Sequence, residues 1–310
     1  MRQLEIVAAD GAASRNQAPD RRQLSQHLTA DTLRHLEKAL KKQWKRYRKR
    51  LRRCQKEFSE KAVHDSRVQT RRLLATVELS GAFIPQSRLH SARRALKRHL
   101  DTFKELRDTQ VQLVYVGKML LSFPGARPFH GYLLKREERC ARQARDRIKR
   151  LKAKRIGKII AGYRAELRER RKRCTPPLLR RGGARSLLLR ALDRAFTGVQ
   201  RLRKRVNPNN TATIHRTRVA FKRFRYMMEA LATMLPETTK KRRADMQHYQ
   251  ALMGDIQDME VLLATLRKFF KKNEINRESA RRFHEELLRR RQWFVQTYLD
   301  AADQLNDFWP

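Results

Sequence analysis

Val63-His64-Asp65-Ser66-Arg67-Val68-Gln69-Thr70-Arg71-Arg72-Leu73-Leu74 decides how the rest of the chain is read, because the sequence contains a second version of it. That version is Ile214-His215-Arg216-Thr217-Arg218-Val219-Ala220-Phe221-Lys222-Arg223-Phe224-Arg225. Placing His64 on His215, an offset of 151 residues, aligns an aliphatic residue, a histidine, an arginine, a valine and a basic pair without a gap. Two copies half a chain apart predict a duplicated fold.

Phase on a helix makes the stretch more than a basic run. At about 100° per residue, His64, Arg67 and Arg71 fall within a sector of roughly 60°, beside an apolar sector of Val63, Thr70, Leu74 and Val77. In the second copy His215, Arg218 and Lys222 repeat the basic sector, with Tyr226 one turn later, and Ile214, Phe221 and Met228 repeat the apolar one. Glu78 and Glu229 also correspond. A purely solvated charge face requires no such repetition.

The pattern aliphatic-His-x-x-Arg-Val-x-x-(Arg/Lys)-Arg, once per half of a helix-patterned chain, resembles the conserved histidine α-helical domain family, CHAD. The resemblance spans roughly residues 30 to 308, and the two motifs are its strongest points. It implies an all-α fold of two pseudo-symmetric helical bundles, each of about four long helices, with a basic central surface that binds inorganic polyphosphate.

Charge bounds the function independently. The formal net charge is +44, from 75 Lys and Arg against 31 Asp and Glu. A compact body with that charge repels itself and steers polyanions toward it over distances that salt shortens. A polyanionic partner is therefore expected. Only 11 Gly and 9 Pro in 310 residues leave few turn signals, which favours long helices over many short strands. Cys54, Cys140 and Cys174 form no C-x-x-C pair, so neither a disulfide framework nor a zinc pattern is visible, and a reducing cytoplasm fits. The opening Met1-Arg2-Gln3-Leu4-Glu5 meets an acidic residue before any apolar core, and no run reaches the roughly 20 residues that span a bilayer, so neither export nor a membrane span is predicted.

Along the chain, residues 1–28 show no sustained period and read as a flexible arm. Thr29-Ala30-Asp31 is the expected N-cap of a first helix through Leu33, Leu36, Leu40, Trp44, Tyr47 and Leu51. The first motif helix follows, over about 61–82. A single third helix is expected over 86–121, and a very basic helical region over 129–173, interrupted near Arg155 to Gly157. Residues 175–183, with Pro176-Pro177 and Gly182-Gly183, form the clearest linker, dividing a first half, 29–174, from a second, 184–310. The second half repeats the order of elements, over about 184–205, 211–234, 238–271 and 275–308. Arg107-Asp108 reappears as Gln257-Asp258 at an offset of 150, so the family's Arg-Asp pattern is not kept in the second copy.

The candidate phosphate-binding residues are His64, Arg67, Arg71, Arg72, Arg94, Lys97 and Arg98 in the first half, and His215, Arg218, Lys222, Arg223, Arg225 and Tyr226 in the second. Clustering cations on two short helices costs repulsion unless an anion is present. Arginine suits the task because its planar fork grips two phosphate oxygens at once. His-x-x-Arg spacing argues against a metal, since the cation would repel it and no carboxylate or cysteine completes a ligand set. No metal, cofactor or catalytic residue is predicted. The preferred reading is a non-enzymatic polyphosphate binder, compatible with scaffolding or targeting at polyphosphate granules. The alternative is a basic protein that binds nucleic acid non-specifically at low salt, which the charge equally supports but which lacks a series of stacking aromatics. An enzyme is disfavoured: there is no P-loop and no Glu-x-Glu-x-Lys signature of the triphosphate hydrolases to which some relatives of this domain are joined.

Overall fold

The structure, a computed structural model, describes residues 21–151, 153–173, 183–232, 240–272 and 277–309, apart from the side chains of 21–28 and 277–280. Ten α-helices are formed among these residues: α1 Arg21–Glu57, α2 Glu60–Ser80, α3 Gln86–Thr102, α4 Lys104–Met119, α5 Arg127–Lys149, α6 Ala153–Arg173, α7 Gly183–Arg203, α8 Thr211–Leu231, α9 Lys240–Phe270 and α10 Arg277–Asp300. No strand is formed among them, and a lone bridge between Asn207 and Asn210 closes the turn before α8. The fold is all-α, as the periodicity and the resemblance imply.

Three boundaries differ from the expected ones. The first helix begins at Arg21, inside the expected arm, and Thr29 is a buried interior residue. The Thr29 hydroxyl accepts a hydrogen bond from the Ala184 amide at the start of α7, at 3.4 Å, so it serves another helix. Gly183 there has φ +74, and a Cβ on it would fall 2.6 Å from Thr29 Oγ1, so a side chain is excluded by both backbone and space.

The expected single third helix is broken at Phe103 into α3 and α4. Phe103 takes φ −106 and ψ 5, and its amide donates to Leu100 O at 3.3 Å. Neither glycine nor proline marks the break. It seats a fully buried ring 5.6 Å from His99 and 6.4 Å from Phe58. In the second half α9 runs unbroken through the corresponding region. The interruption of the basic region falls just after α5, at Arg150 and Leu151, not at Gly157. Gly157 lies inside α6, where a Cβ would meet the Trp44 ring at 3.0 Å, so it permits close packing on α1.

The first motif helix is placed by a tight connection. Phe58 closes α1 with its amide on Cys54 O at 3.1 Å and adopts a left-handed φ of 46. Ser59 then caps α2, its hydroxyl accepting from the Ala62 amide at 3.2 Å. The apolar stripe of α2, with Val63, Leu73, Val77 and Leu79, is buried, as is that of α8, with Ile214, Phe221, Phe224 and Met228. Burying each such side chain contributes about 1.5–3 kcal/mol.

Two hydrophobic clusters result, and neither follows the division of the sequence. The larger joins Leu33, Leu40, Tyr47, Val77 and Tyr163 to Phe196, Phe221, Tyr249 and Phe308. The smaller joins Val116, Phe129 and Leu133 to Met259, Leu263, Phe269 and Phe283. The two sequence halves are therefore interlocked through shared cores. Among the described residues no helix is long and apolar enough to cross a membrane.

Candidate functional site: a basic cluster where the motif helices meet

Helices α2 and α8 pack against each other, and their meeting brings the two repeated motifs to one place. Two ion pairs join them reciprocally. Arg223 of α8 lies 2.6 Å from Glu78 of α2, and Arg72 of α2 lies 3.5 Å from Glu229 of α8. Both the arginines and the glutamates are 151 residues apart, so each copy gives the other what it receives. Glu78, almost fully buried, also takes Arg93 of α3 at 3.0 Å. Glu229 takes Arg225 of its own helix at 2.5 Å.

Beside this seam lie Arg67 and Arg71 of α2 with Arg218 and Lys222 of α8. Burial and the neighbouring Arg71 lower Arg67 to a pKa of about 10, and its guanidinium donates to Leu100 O at 3.1 Å. Burial also lowers Arg218, with Arg71 adding to the effect and Asp258 opposing it. Lys222 is lowered to about 6 by burial, then by Arg71, Arg218, Arg67 and Arg225. Among the described residues Arg71, Arg218 and Lys222 make neither a contact ion pair nor a hydrogen bond, and the buried Nε of Arg218 has no partner. The Arg218 guanidinium lies on Gly254 of α9, where a Cβ would stand 3.5 Å from it.

Carboxylates lie close to this cluster without pairing directly. Asp108 of α4 and Asp258 of α9 are raised by burial, and each is held back chiefly by the motif arginine of its own half, Arg67 for Asp108 and Arg218 for Asp258. Asp258 raises Asp108 further, so the two are near each other as well. Asp255 is raised by burial and by Asp258. The repeated Asp in Arg107-Asp108 and Gln257-Asp258 was the available sequence signal for this pair. Arg107 itself turns to Glu60 at 2.9 Å. Gln257, being uncharged, cannot repeat that ion pair in the second half.

The structure places the remaining candidates differently. His215 is half-buried beside Arg218; burial and that arginine lower it, and its Nδ1 has no hydrogen-bond partner. His64 is exposed on α2. Arg72 and Arg223 form the seam. Arg225 is buried, with its Nε on Gln250 at 3.0 Å and its guanidinium 4.6 Å over the buried Tyr226 ring. Arg94, Lys97 and Arg98 are exposed on α3. A recess of about 470 Å³ adjoins the seam, lined by Arg72, Arg225, Tyr226 and Glu229 together with Arg46, Lys240 and Arg243. Lys240 and Arg46 were not among the expected site residues. Among the described residues no group of three or more His, Cys, Asp or Glu could hold a metal ion.

Among the described residues the protein is all-α, with its two motif helices meeting at one cationic cluster. The sequence matches the CHAD domain family over residues 34–267, and the chain belongs to that family, which is linked to polyphosphate binding. Two solved structures share the fold. The CHAD domain from the plant Ricinus communis is 17% identical with a TM-score of 0.59, covering 89% of each chain. PptA from Streptomyces chartreusis is 16% identical with a TM-score of 0.61, covering 90% of this chain and 99% of that one. No curated protein matches the chain.

Proposed function

We propose that the protein binds inorganic polyphosphate without turning it over, and that the cluster of Arg67, Arg71, Arg218 and Lys222 is the centre of the binding surface. The observation that carries this reading is the gathering of these four cations with, among the described residues, no contact carboxylate for any of them. Like charges roughly 10 Å apart at an effective dielectric near 20 repel by about 1.7 kcal/mol per pair, a cost that an anion between them would reverse. Each half contributes an equivalent set, which supports reading the chain as a duplication with a shared site.

Exposed ion pairs are worth about 1 kcal/mol or less each, so affinity has to come from many contacts along one polymer. Once one copy of the motif is engaged, the second binds the same chain at high effective concentration. A phosphate chain supplies charges at every repeat and needs no base-stacking platform. Tyr226, the aromatic residue one turn beyond the basic sector of α8, is buried under Arg225.

Competition at physiological salt tests the reading. Labelled long polyphosphate should be displaced by unlabelled polyphosphate far better than by DNA or RNA of matched total charge. Equal displacement would leave only a positively charged body.

A further inference from the structure

The 150-residue offset that relates Asp108 to Asp258 also lays the buried Leu96, His99 and Phe103 on the buried Met246, Tyr249 and Met253. Arg93 of α3 and Arg243 of α9 therefore occupy equivalent places, but their partners differ. Arg93 lies 3.0 Å from Glu78 and supports the seam. Glu229, the counterpart of Glu78, is taken instead by Arg225 of its own helix, at a position where the first copy has Leu74. Arg243 is thereby released from the seam. Among the described residues it makes neither a contact ion pair nor a hydrogen bond, and the same holds for Arg46 of α1 and Lys240 of α9.

These three side chains line the recess of about 470 Å³ together with Arg72 and Arg225. Among the described residues five cations thus surround it against one carboxylate, Glu229, which Arg72 and Arg225 already share. The volume is that of a small-ligand pocket, too small for a coiled polymer. Cations held around one cavity repel one another, and closely spaced negative charges between them turn that repulsion into attraction. A nucleobase has no place to stack. Among the described residues of the lining Tyr226 is the only ring, and it is 6% exposed with the Arg225 guanidinium 4.6 Å over it. In the first copy the equivalents of Arg225 and Lys240 are Leu74 and His90, so that side lacks the set.

We propose that this recess is a second anion site, built on one side of the seam only, and that it takes a short run of phosphates carrying no base. Arg243 is then a binding residue, whereas Arg93 at the equivalent place is a structural one. The run of phosphates comes either as a free oligophosphate or as the end of a longer chain. Arg72 follows Arg71, and Arg225 lies one turn beyond Lys222, so the recess stands next to the central cluster and a chain held there can reach it. The chain-end case rests on the proposed function; the recess as an anion site does not.

Titration calorimetry with sodium tripolyphosphate at physiological salt tests the recess. The wild type should bind it, and Lys240→Ala/Arg243→Ala should bind it roughly tenfold or more weakly with Tm unchanged. Lys149→Ala/Arg150→Ala, which removes the same charge from the exposed end of α5, should stay within about twofold of the wild type. Arg93→Ala should do the reverse of the recess variant, lowering Tm and keeping the binding, because it serves Glu78. Equal weakening by the two double variants, or no tripolyphosphate binding by the wild type, overturns the proposal. Repeating the titration with long polyphosphate already bound separates the two sources: a lost signal assigns the recess to a chain end, and a retained one to free oligophosphate. Binding of tripolyphosphate without binding of long polyphosphate would remove the proposed function and leave the recess standing; the converse removes the recess alone.

Discussion

Glu78 of α2 and Arg223 of α8 lie 2.6 Å apart, and their counterparts Glu229 and Arg72 lie 3.5 Å apart across the same seam. The first carboxylate after each basic motif in sequence thus holds the two copies together. Glu78 is only 4% exposed and has two arginine partners, so removing its charge leaves Arg93 and Arg223 facing each other.

Glu78→Gln is therefore expected to destabilise the fold by about 1–3 kcal/mol, read as a drop in Tm, because it leaves charged donors without their acceptor. It should not alter phosphate chemistry. Steady orthophosphate release from polyphosphate by the pure protein with Mg²⁺, lost in this variant, would contradict the structural role.

His99 provides a pH prediction for stability. Its Nδ1 faces the Tyr47 hydroxyl at 2.9 Å in the core, and burial followed by Arg67 lowers it to about 3. An unfolded histidine titrates near 6.5, so between these values the unfolded chain binds more protons than the native one. Stability is then fully present above about pH 6.5 and is lost progressively as pH falls toward 3. Tm measured across this range should decline in the wild type, and His99→Gln should flatten that decline. An unchanged slope in the variant would assign the acid sensitivity elsewhere.

Cys54 offers a check on packing. It is fully buried, and burial raises its thiol to about 12, so the reactive thiolate is scarce and shielded at neutral pH. Maleimide labelling of Cys54 should proceed only after denaturation. Rapid labelling of the native protein would show that α1 opens locally.

The all-helical fold was legible because the apolar positions keep a 3.6-residue period and breakers are few. The central cluster was legible because Arg67, Arg71, Arg218 and Lys222 share a helical sector in each copy. Other features were hidden for identifiable reasons. Phe103 breaks a helix without glycine or proline, since the burial of its ring between His99 and Phe58 is a tertiary effect. Arg72 and Arg223 adjoin the basic sector in sequence but point about 100° away from Arg71 and Lys222, which turns them toward the partner helix. Glu78 and Glu229 share the 151-residue offset of those arginines, and that match was the signal for a reciprocal seam. Arg225 and Tyr226 read as surface residues because their burial depends on Gln250 and the packing of α9.

The central claim is that binding is localised at the crossing of the motif helices and is not spread over the whole charge. The direct measurement is the affinity for long polyphosphate, at one fixed ionic strength, of two variants that each lose four cations. One replaces Arg67, Arg71, Arg218 and Lys222 with Ala; the other replaces the exposed Lys149, Arg150, Lys154 and Arg155. Circular dichroism establishes that both remain helical. The account predicts a loss of roughly a hundredfold for the motif set, about 3 kcal/mol, and little more than a few-fold for the control set. Equal losses would contradict it.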